Sequence, residues 1–246
     1  MKFQQKVKQS VKKTVLSLTR PLGIEISKVA NNRNVLGYVS AKETIHAASQ
    51  SNLSVSDYLD KIWDHKDNRK LVINQLQEFG ILNQTIQNIC EIGTGAGLYV
   101  EQTISLCQPA RYESYEPDDD WAKWLTKKYK IISHPTDGKS LSYTSDSSID
   151  LVTSHGVFVY LPFLVIYRYL LEIVRVTKNS GYVVFDIFTE DCLDDEKVKY
   201  WLDSDYDYPC FFGEIYAINF FTKREFIFVG SFFSKDGTKY LIFQKN

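Results

Sequence analysis

Apolar and polar positions recur along this chain with two different periods. Steps of three and four residues mark helices. The first such stripe is Phe3, Val7, Val11, Val15 and Leu18, closed by Pro21 and Gly23. Ser40 followed by Glu43 has capping-box spacing for a helix through Ala48, and Ser56 opens another through Trp63. Leu71, Val72, Leu76 and Phe79 form one stripe of a further helix from Lys66, ended by Gly80. Short apolar or alternating runs mark strands: 89–92, 111–116, 129–134, 148–156 and 182–188. Helical segments at 98–107, after Asp118, and at 163–176 separate them, so strand and helix alternate as in an α/β domain with a parallel sheet. The run 182–188 is almost continuously apolar, which predicts a central strand covered on both faces, with Asn179-Ser180-Gly181 breaking the helix before it. The end of the chain differs. After a helix to about Arg224, Phe226–Phe233 and Lys239–Gln244 flank Lys235-Asp236-Gly237, and Asp-Gly between two apolar runs predicts an antiparallel hairpin.

The stretch N-I-C-E-I-G-T-G-A-G-L-Y-V-E, residues 88–101, carries the candidate chemistry. It reads as a strand, a tight turn through Gly93, Thr94, Gly95 and Gly97, and a helix start. Glycines there permit positive φ and close approach of a ligand, while the first N–H groups of the helix face the turn. The spacing is G-x-G-x-G, with Glu91 two residues before the first glycine, and so differs from the G-x-G-x-x-G of a dinucleotide site. An acid facing the turn suits an ammonium or sulfonium group better than a phosphate. Glu116 closes the second strand, before Pro117, and an acid there can accept hydrogen bonds from both hydroxyls of a ribose. Glu113 is a rival in mid-strand. Asp118 to Asp120 suit the N-terminus of the following helix.

These motifs resemble those of the class I S-adenosylmethionine-dependent methyltransferases. The resemblance runs from about residue 35 to the C-terminus and is strongest in 88–188, where S-I-D-L-V with the aromatic loop 158–162 looks like the fourth motif of that family. It implies a doubly wound, Rossmann-like sheet of seven strands with an antiparallel C-terminal hairpin and an N-terminal helical extension. It also implies S-adenosyl-L-methionine as cofactor, held by Glu91, Gly93, Thr94, Gly95, Gly97, Glu116 and Pro117, by Asp137 and Gly138 at the adenine, and by Ser154. Asp137-Gly138 is equally an ordinary turn. Tyr38 and Thr44 are expected near the methionine end and His46 in the cleft, though packing or surface roles suit them too. His155, in the loop that faces the methyl group in this family, is the expected general base, and Asp186, an acid inside an apolar strand, the second catalytic candidate.

Composition narrows the class. A chain of 246 residues with 44% hydrophobic residues and a net charge of −1 reads as one ordinary α/β domain with appendages. The four cysteines form neither a C-x-x-C pair nor a zinc-like spacing, and the absence of a membrane-spanning or signal-peptide run adds to a cytoplasmic expectation. Charge is unevenly placed, however: residues 1–37 hold eight Lys/Arg and one acid, leaving 21 basic against 29 acidic residues in the remainder. Residues 1–33 therefore read as a basic amphipathic leader, and residues 34–246 as the methyltransferase domain, with a helical cap at 34–80. Residues 1–20 suit peripheral contact with the inner face of an anionic membrane, packing on the domain, or, less well because they are Lys-rich, a transit peptide. The leader loosely resembles those of bacterial enzymes of surface-polysaccharide assembly.

Residues 189–213 interleave acids (Glu190, Asp191, Asp194, Asp195, Glu196) with aromatics (Tyr200, Trp201, Tyr206, Tyr208, Phe211, Phe212) at the expected carboxyl edge of the sheet. Read as a lid, this stretch offers hydrogen-bond acceptors and flat apolar faces to a sugar; read blandly, it is a solvated loop with core aromatics. Spacing compels no metal site from Asp186, Glu190 or Asp191, and none is assigned. The resulting expectation is O-methylation of a sugar or other small molecule. An NAD(P)-dependent oxidoreductase and a catalytically silent methyltransferase-like binding protein stay open as alternatives. Nucleic acid is not expected as a partner, because an acidic lid repels phosphates. Neither the acceptor nor the oligomeric state can be read from these patterns.

Overall fold

The computed structural model describes residues 40–63, 66–203 and 209–246. The chain divides into two units, residues 1–40 and 41–246. The leader and Tyr38 lie outside the described residues, as do Tyr206 and Tyr208 of the lid. No helix among the described residues is long and apolar enough to cross a membrane.

Among the described residues three helices precede the sheet: α1 (Ala41–Gln50), α2 (Val55–Trp63) and α3 (Lys66–Glu78). Helix α2 begins earlier than the expected Ser56, because Ser54 closes its first turn. The Ser54 hydroxyl accepts from the Asp57 N–H at 3.0 Å and donates to the Asp57 carboxylate at 2.8 Å, while Ser56 is buried. The sheet follows with β1 (Asn88–Ile92), α4 (Val100–Cys107), β2 (Arg111–Tyr115), α5 (Asp119–Tyr129), β3 (Ile132–Ser133), β4 (Ile149–Ser154), α6 (Phe163–Val176) and β5 (Thr177–Ile187). A 3-10 turn (Glu190–Cys192), α7 (Asp195–Asp203), α8 (Glu214–Thr222), β6 (Phe226–Phe233) and β7 (Lys239–Lys245) complete it. The strand order is β3-β2-β1-β4-β5-β7-β6, with β7 antiparallel to β5 and β6. This is the expected seven-stranded α/β sheet with its terminal hairpin.

Alternation along the strands sends side chains to two separate cores. Cys90, Ile92, Val152, Phe185 and Phe243 face α6 and α8, which contribute Ile166, Leu170, Ile173, Ala217 and Phe221. Ile89, Leu151, Val184 and Ile242 face α3, α4 and α5, where Val72, Leu76, Val100 and Leu125 meet them. Both faces are covered, so β4 is buried along its whole length. Carboxyl ends of the five parallel strands share one edge, and the start of antiparallel β7 returns to it, with Lys239 opposite Ile187.

Two predicted strands have different limits. The third shrinks to Ile132–Ser133 because α5 continues through Tyr129 and stops at Lys130, whose φ of 57° caps the helix through an N–H bond to the Thr126 carbonyl. The fifth lengthens: pairing with β4 begins at Thr177, Ser180 takes a kink at φ 63°, and Gly181 tucks where a Cβ would lie 2.9 Å from the Ile149 carbonyl oxygen. Asn179-Ser180-Gly181 is thus an irregularity inside a strand rather than a break before one.

Candidate functional site

The glycine turn at the end of β1 divides its three glycines between two tasks. All have positive φ, at 68°, 54° and 71° for Gly93, Gly95 and Gly97. A Cβ on Gly93 would lie 2.5 Å from Cγ2 of Val157, and one on Gly97 would lie 2.7 Å from Cδ2 of Leu125, so both glycines make room for the chain's own side chains. At Gly95 an added Cβ meets nothing within 4 Å. Gly95 is therefore the open side of the turn, where a ligand can reach backbone.

Glu116 joins this open glycine from the next strand. Its buried carboxylate accepts from the Gly95 N–H at 2.6 Å and from the Asp118 N–H at 2.8 Å. Burial raises this carboxyl, and those two N–H groups pull it back. Asp118 in turn caps α5, accepting from the N–H groups of Asp120 and Trp121. Glu113, the rival acid, belongs to the opposite face, in an ion pair with Arg111 and beside His134. Thr94 is buried, its hydroxyl 2.7 Å from that of Ser114, which fastens the turn to β2. Glu91 accepts the Tyr112 hydroxyl at 2.5 Å, and burial pushes its carboxyl up to about 8.

Pro117 is exposed, as are Asp137 and Gly138. The Asp137 carboxylate accepts from the N–H groups of Lys139 at 3.0 Å and Ser140 at 2.8 Å, and Gly138 donates to the Thr136 hydroxyl at 3.0 Å. Against a small burial penalty these bonds hold the Asp137 carboxyl below its usual range. Asp137 thus closes an Asp-Gly turn that follows β3.

On the other side of β1 lies a network of side chains. The Ser154 hydroxyl is tied to the Ile92 carbonyl at 3.3 Å. His155 has partners on both ring nitrogens: Nε2 is 2.6 Å from the Thr153 hydroxyl and Nδ1 is 3.1 Å from the Tyr240 hydroxyl. The ring of Tyr99 stacks on the imidazole with centroids 3.9 Å apart and planes 17° from parallel, and the Tyr99 and Tyr240 hydroxyls are hydrogen-bonded. Burial pushes the imidazole down to about 3, so it is neutral at physiological pH. Asp186 is not bonded to His155. Its carboxylate accepts from the Gly156 N–H at 2.7 Å, and burial pushes it up to about 6, opposed by that bond and by the Thr238 hydroxyl.

Tyr99, Thr153 and Tyr240 were not singled out by sequence reasoning. Tyr99 carried a signal, since it follows the glycine turn directly. Tyr240 carried none beyond strand alternation, and only the pairing of Asp186 with Tyr240 brings it to this edge. Lys239 was missed for the same reason: buried, it bonds Asp191 of the 3-10 turn at 3.0 Å and Glu214 of α8 at 2.5 Å. The aromatics of 189–213 are divided, with Phe211 exposed. Phe188, Cys192 and Trp201 form a small core with Val159, and Phe212 is buried, whereas Tyr200 is exposed. In the helical cap Thr44 is buried and His46 exposed.

Residues 90–185 match the family model described as a methyltransferase domain. No curated protein sequence matches the chain significantly. Among solved structures, magnesium protoporphyrin IX methyltransferase from Synechocystis, with bound S-adenosylhomocysteine, gives a TM-score of 0.57 at 11% identity, over 77% of this chain and 86% of that one. Geranyl diphosphate C-methyltransferase from Streptomyces coelicolor, in complex with Mg2+, geranyl diphosphate and S-adenosylhomocysteine, gives 0.56 at 7% identity over 72% and 77%. An S-adenosylmethionine-dependent methyltransferase from Aquifex aeolicus gives 0.51 at 13% identity over 70% and 88%. At such identities the likeness is one of fold. Together with the domain match it supports a methyltransferase-like domain in this chain, and the different molecules named for the first two proteins leave the acceptor undefined.

Proposed function

We propose that this chain transfers a methyl group from S-adenosylmethionine to a hydroxyl of a small molecule, a sugar being the favoured acceptor. One observation carries the reading: the Glu116 carboxylate reaches across the end of β2 to the N–H of Gly95, the one glycine of the turn with open space before it. This pairs a ribose-binding acid with bare backbone at the carboxyl edge of the sheet, where α/β folds take nucleosides. Most of the donor set fits the cofactor: Glu116 would hold the ribose hydroxyls and Asp137 would lie at the adenine, while Glu91, which burial keeps protonated near neutral pH, would meet the amino-acid end through a hydrogen bond rather than by charge. When bound, the cofactor supplies an activated methyl group on a sulfonium. Positioning then provides much of the rate, and the acceptor oxygen must give up its proton. His155 is neutral, and its Nε2 lone pair faces the acceptor once Thr153 releases it, although burial opposes the imidazolium that would form; Asp186, whose carboxyl burial raises to about 6, is the second candidate.

Sugar is favoured by the exposed carboxylates of the 3-10 turn and α7 beside Phe211, the exposed ring of an aromatic cluster whose other members, Phe188 and Trp201, are buried. The basic leader suits an enzyme working at an anionic membrane surface from the cytoplasmic side. An oxidoreductase using NAD or NADP is disfavoured by the glycine spacing and by the terminal hairpin. Calorimetric titration with S-adenosylhomocysteine, NAD and NADP separates the readings. Binding of the first alone, weakened at least tenfold in Glu116→Ala, is the expected result. Preference for a dinucleotide, or no binding of S-adenosylhomocysteine, sinks the proposal. Methyl turnover on any hydroxylated acceptor would exclude a silent binding protein.

A further inference from the structure

The imidazole of His155 is gripped from three sides, by Thr153 two residues before it on β4 and by groups that the glycine turn and β7 bring from far apart in the chain. Tyr99 covers its face, Thr153 meets Nε2 at 2.6 Å, and Tyr240 meets Nδ1 at 3.1 Å. Tyr240 is itself buried, its ring lying on Phe232 with planes 3° from parallel, so its hydroxyl has little freedom. That hydroxyl has one proton and two neighbours, Tyr99 and His155. If the proton goes to the Tyr99 oxygen, Tyr240 can only accept from the imidazole, and Nδ1 must carry the ring's hydrogen. The lone pair then belongs to Nε2, which Thr153 satisfies as donor.

We infer that Tyr240 is a positioning residue which, relayed by Tyr99, fixes His155 as the Nδ1–H tautomer and so makes Nε2 the basic nitrogen of the site. The partner of the unreactive nitrogen decides which nitrogen reacts. In the proton step the acceptor O–H bond breaks, the hydrogen passes to Nε2 as the acceptor replaces Thr153 there, and Nδ1–H stays on Tyr240. The resulting imidazolium keeps a hydrogen-bond acceptor in Tyr240 and returns its extra proton to solvent. Only this last consequence rests on the methyl-transfer reading; the tautomer does not.

The test is made on the full chain labelled with 15N, by two-bond 1H–15N correlation of the histidine rings at pH 7. The chain has four histidines, and His155→Gln identifies the relevant signal. Wild type is expected to show a single Nδ1–H pattern for His155. Tyr240→Phe keeps the ring packing and removes the acceptor, so Nε2–H should appear. Tyr99→Phe leaves Tyr240 free to donate to Nδ1, and the pattern should invert, which keeps the inference testable if Tyr240→Phe does not fold. Thr153→Val should leave Nδ1–H in place. A wild-type Nε2–H pattern, or Nδ1–H persisting in both tyrosine variants, overturns the inference. Titration of the same samples with S-adenosylhomocysteine separates the two claims: binding with the wrong tautomer sinks this inference alone, and the right tautomer without binding sinks the proposed function alone.

Discussion

The two halves of the carboxyl edge are built differently. On the β1–β2 side the groups that would meet a nucleoside are main-chain N–H atoms and one carboxylate, set by a glycine turn and a strand end about 20 residues apart. On the β4–β5–β7 side most of the polar atoms belong to side chains, with the Gly156 N–H the main-chain exception, and Tyr240 comes to His155 from the far end of the domain. The first half is a backbone device that tolerates almost any surrounding sequence so long as its glycines remain. The second depends on register, because a slip of one residue in β7 would turn Tyr240 to the other face. The β1–β2 half is thus generic, and the β4–β5–β7 half is where this chain is individual.

The largest expected effect falls within the backbone half. Gly93→Ala combines a left-handed φ with a Cβ 2.5 Å from Val157, and should cost about 3 kcal/mol, from roughly 1 to 2 for the backbone and a similar amount for overpacking. Urea denaturation measures it, and a loss well under 1 kcal/mol would mean that the turn yields easily. Gly95→Ala has the same kind of φ but open space around it, so a stability cost of about 1 kcal/mol should accompany a larger loss of S-adenosylhomocysteine affinity. Equal losses in both variants would erase the distinction drawn between the glycines.

Next come the two buried acids, one from each half. Both carboxyls have folded-state values above their unfolded ones, so each binds its proton more tightly in the folded chain. Stability linked to them is present at low pH and is lost as pH rises, between roughly 4 and 6 for Asp186 and between roughly 4.5 and 8 for Glu91. Asp186→Asn and Glu91→Gln should therefore match wild type near pH 4. Above those windows they should be more stable by on the order of 2 kcal/mol, with the gap opening at different pH in the two variants. Denaturation midpoints between pH 4 and 9 decide it; coincident windows would show that the two acids titrate as one group. The smallest effect is local. Lys239→Met removes the ion pairs that hold the 3-10 turn and α8, and should cost about 1 kcal/mol while speeding amide exchange in residues 189–203 and 209–214 but not in the glycine turn.

How legible each half was follows from the same difference. The glycine turn, Glu116 and the Asp236-Gly237 hairpin announce themselves through residue types that backbone geometry demands at fixed spacing, and the alternation of strand and helix carries the sheet. The short third strand was misread because Tyr129-Lys130-Ile131 is apolar enough for a strand, and the helix end depends on Lys130 accepting a positive φ. Ser180-Gly181 reads as a stop locally, yet the neighbouring β4 carries the pairing across it. Tyr240 and Thr153 look like ordinary strand residues, since a hydroxyl beside a histidine leaves no trace in spacing when the partners are 85 and two residues away.

The fit of Val157 against Gly93 ties the motif that ends β1 to the loop after β4. In evolutionary terms the two positions form a coupled pair. A lineage that acquires a side chain at the first glycine loses least if it has already trimmed the valine, and even then it inherits a strained turn. Mutational paths through this fold are therefore easiest when they pass the valine first. Recombination that exchanges only one of the two segments with a distant relative would yield misfits at this contact, even when each parent folds well.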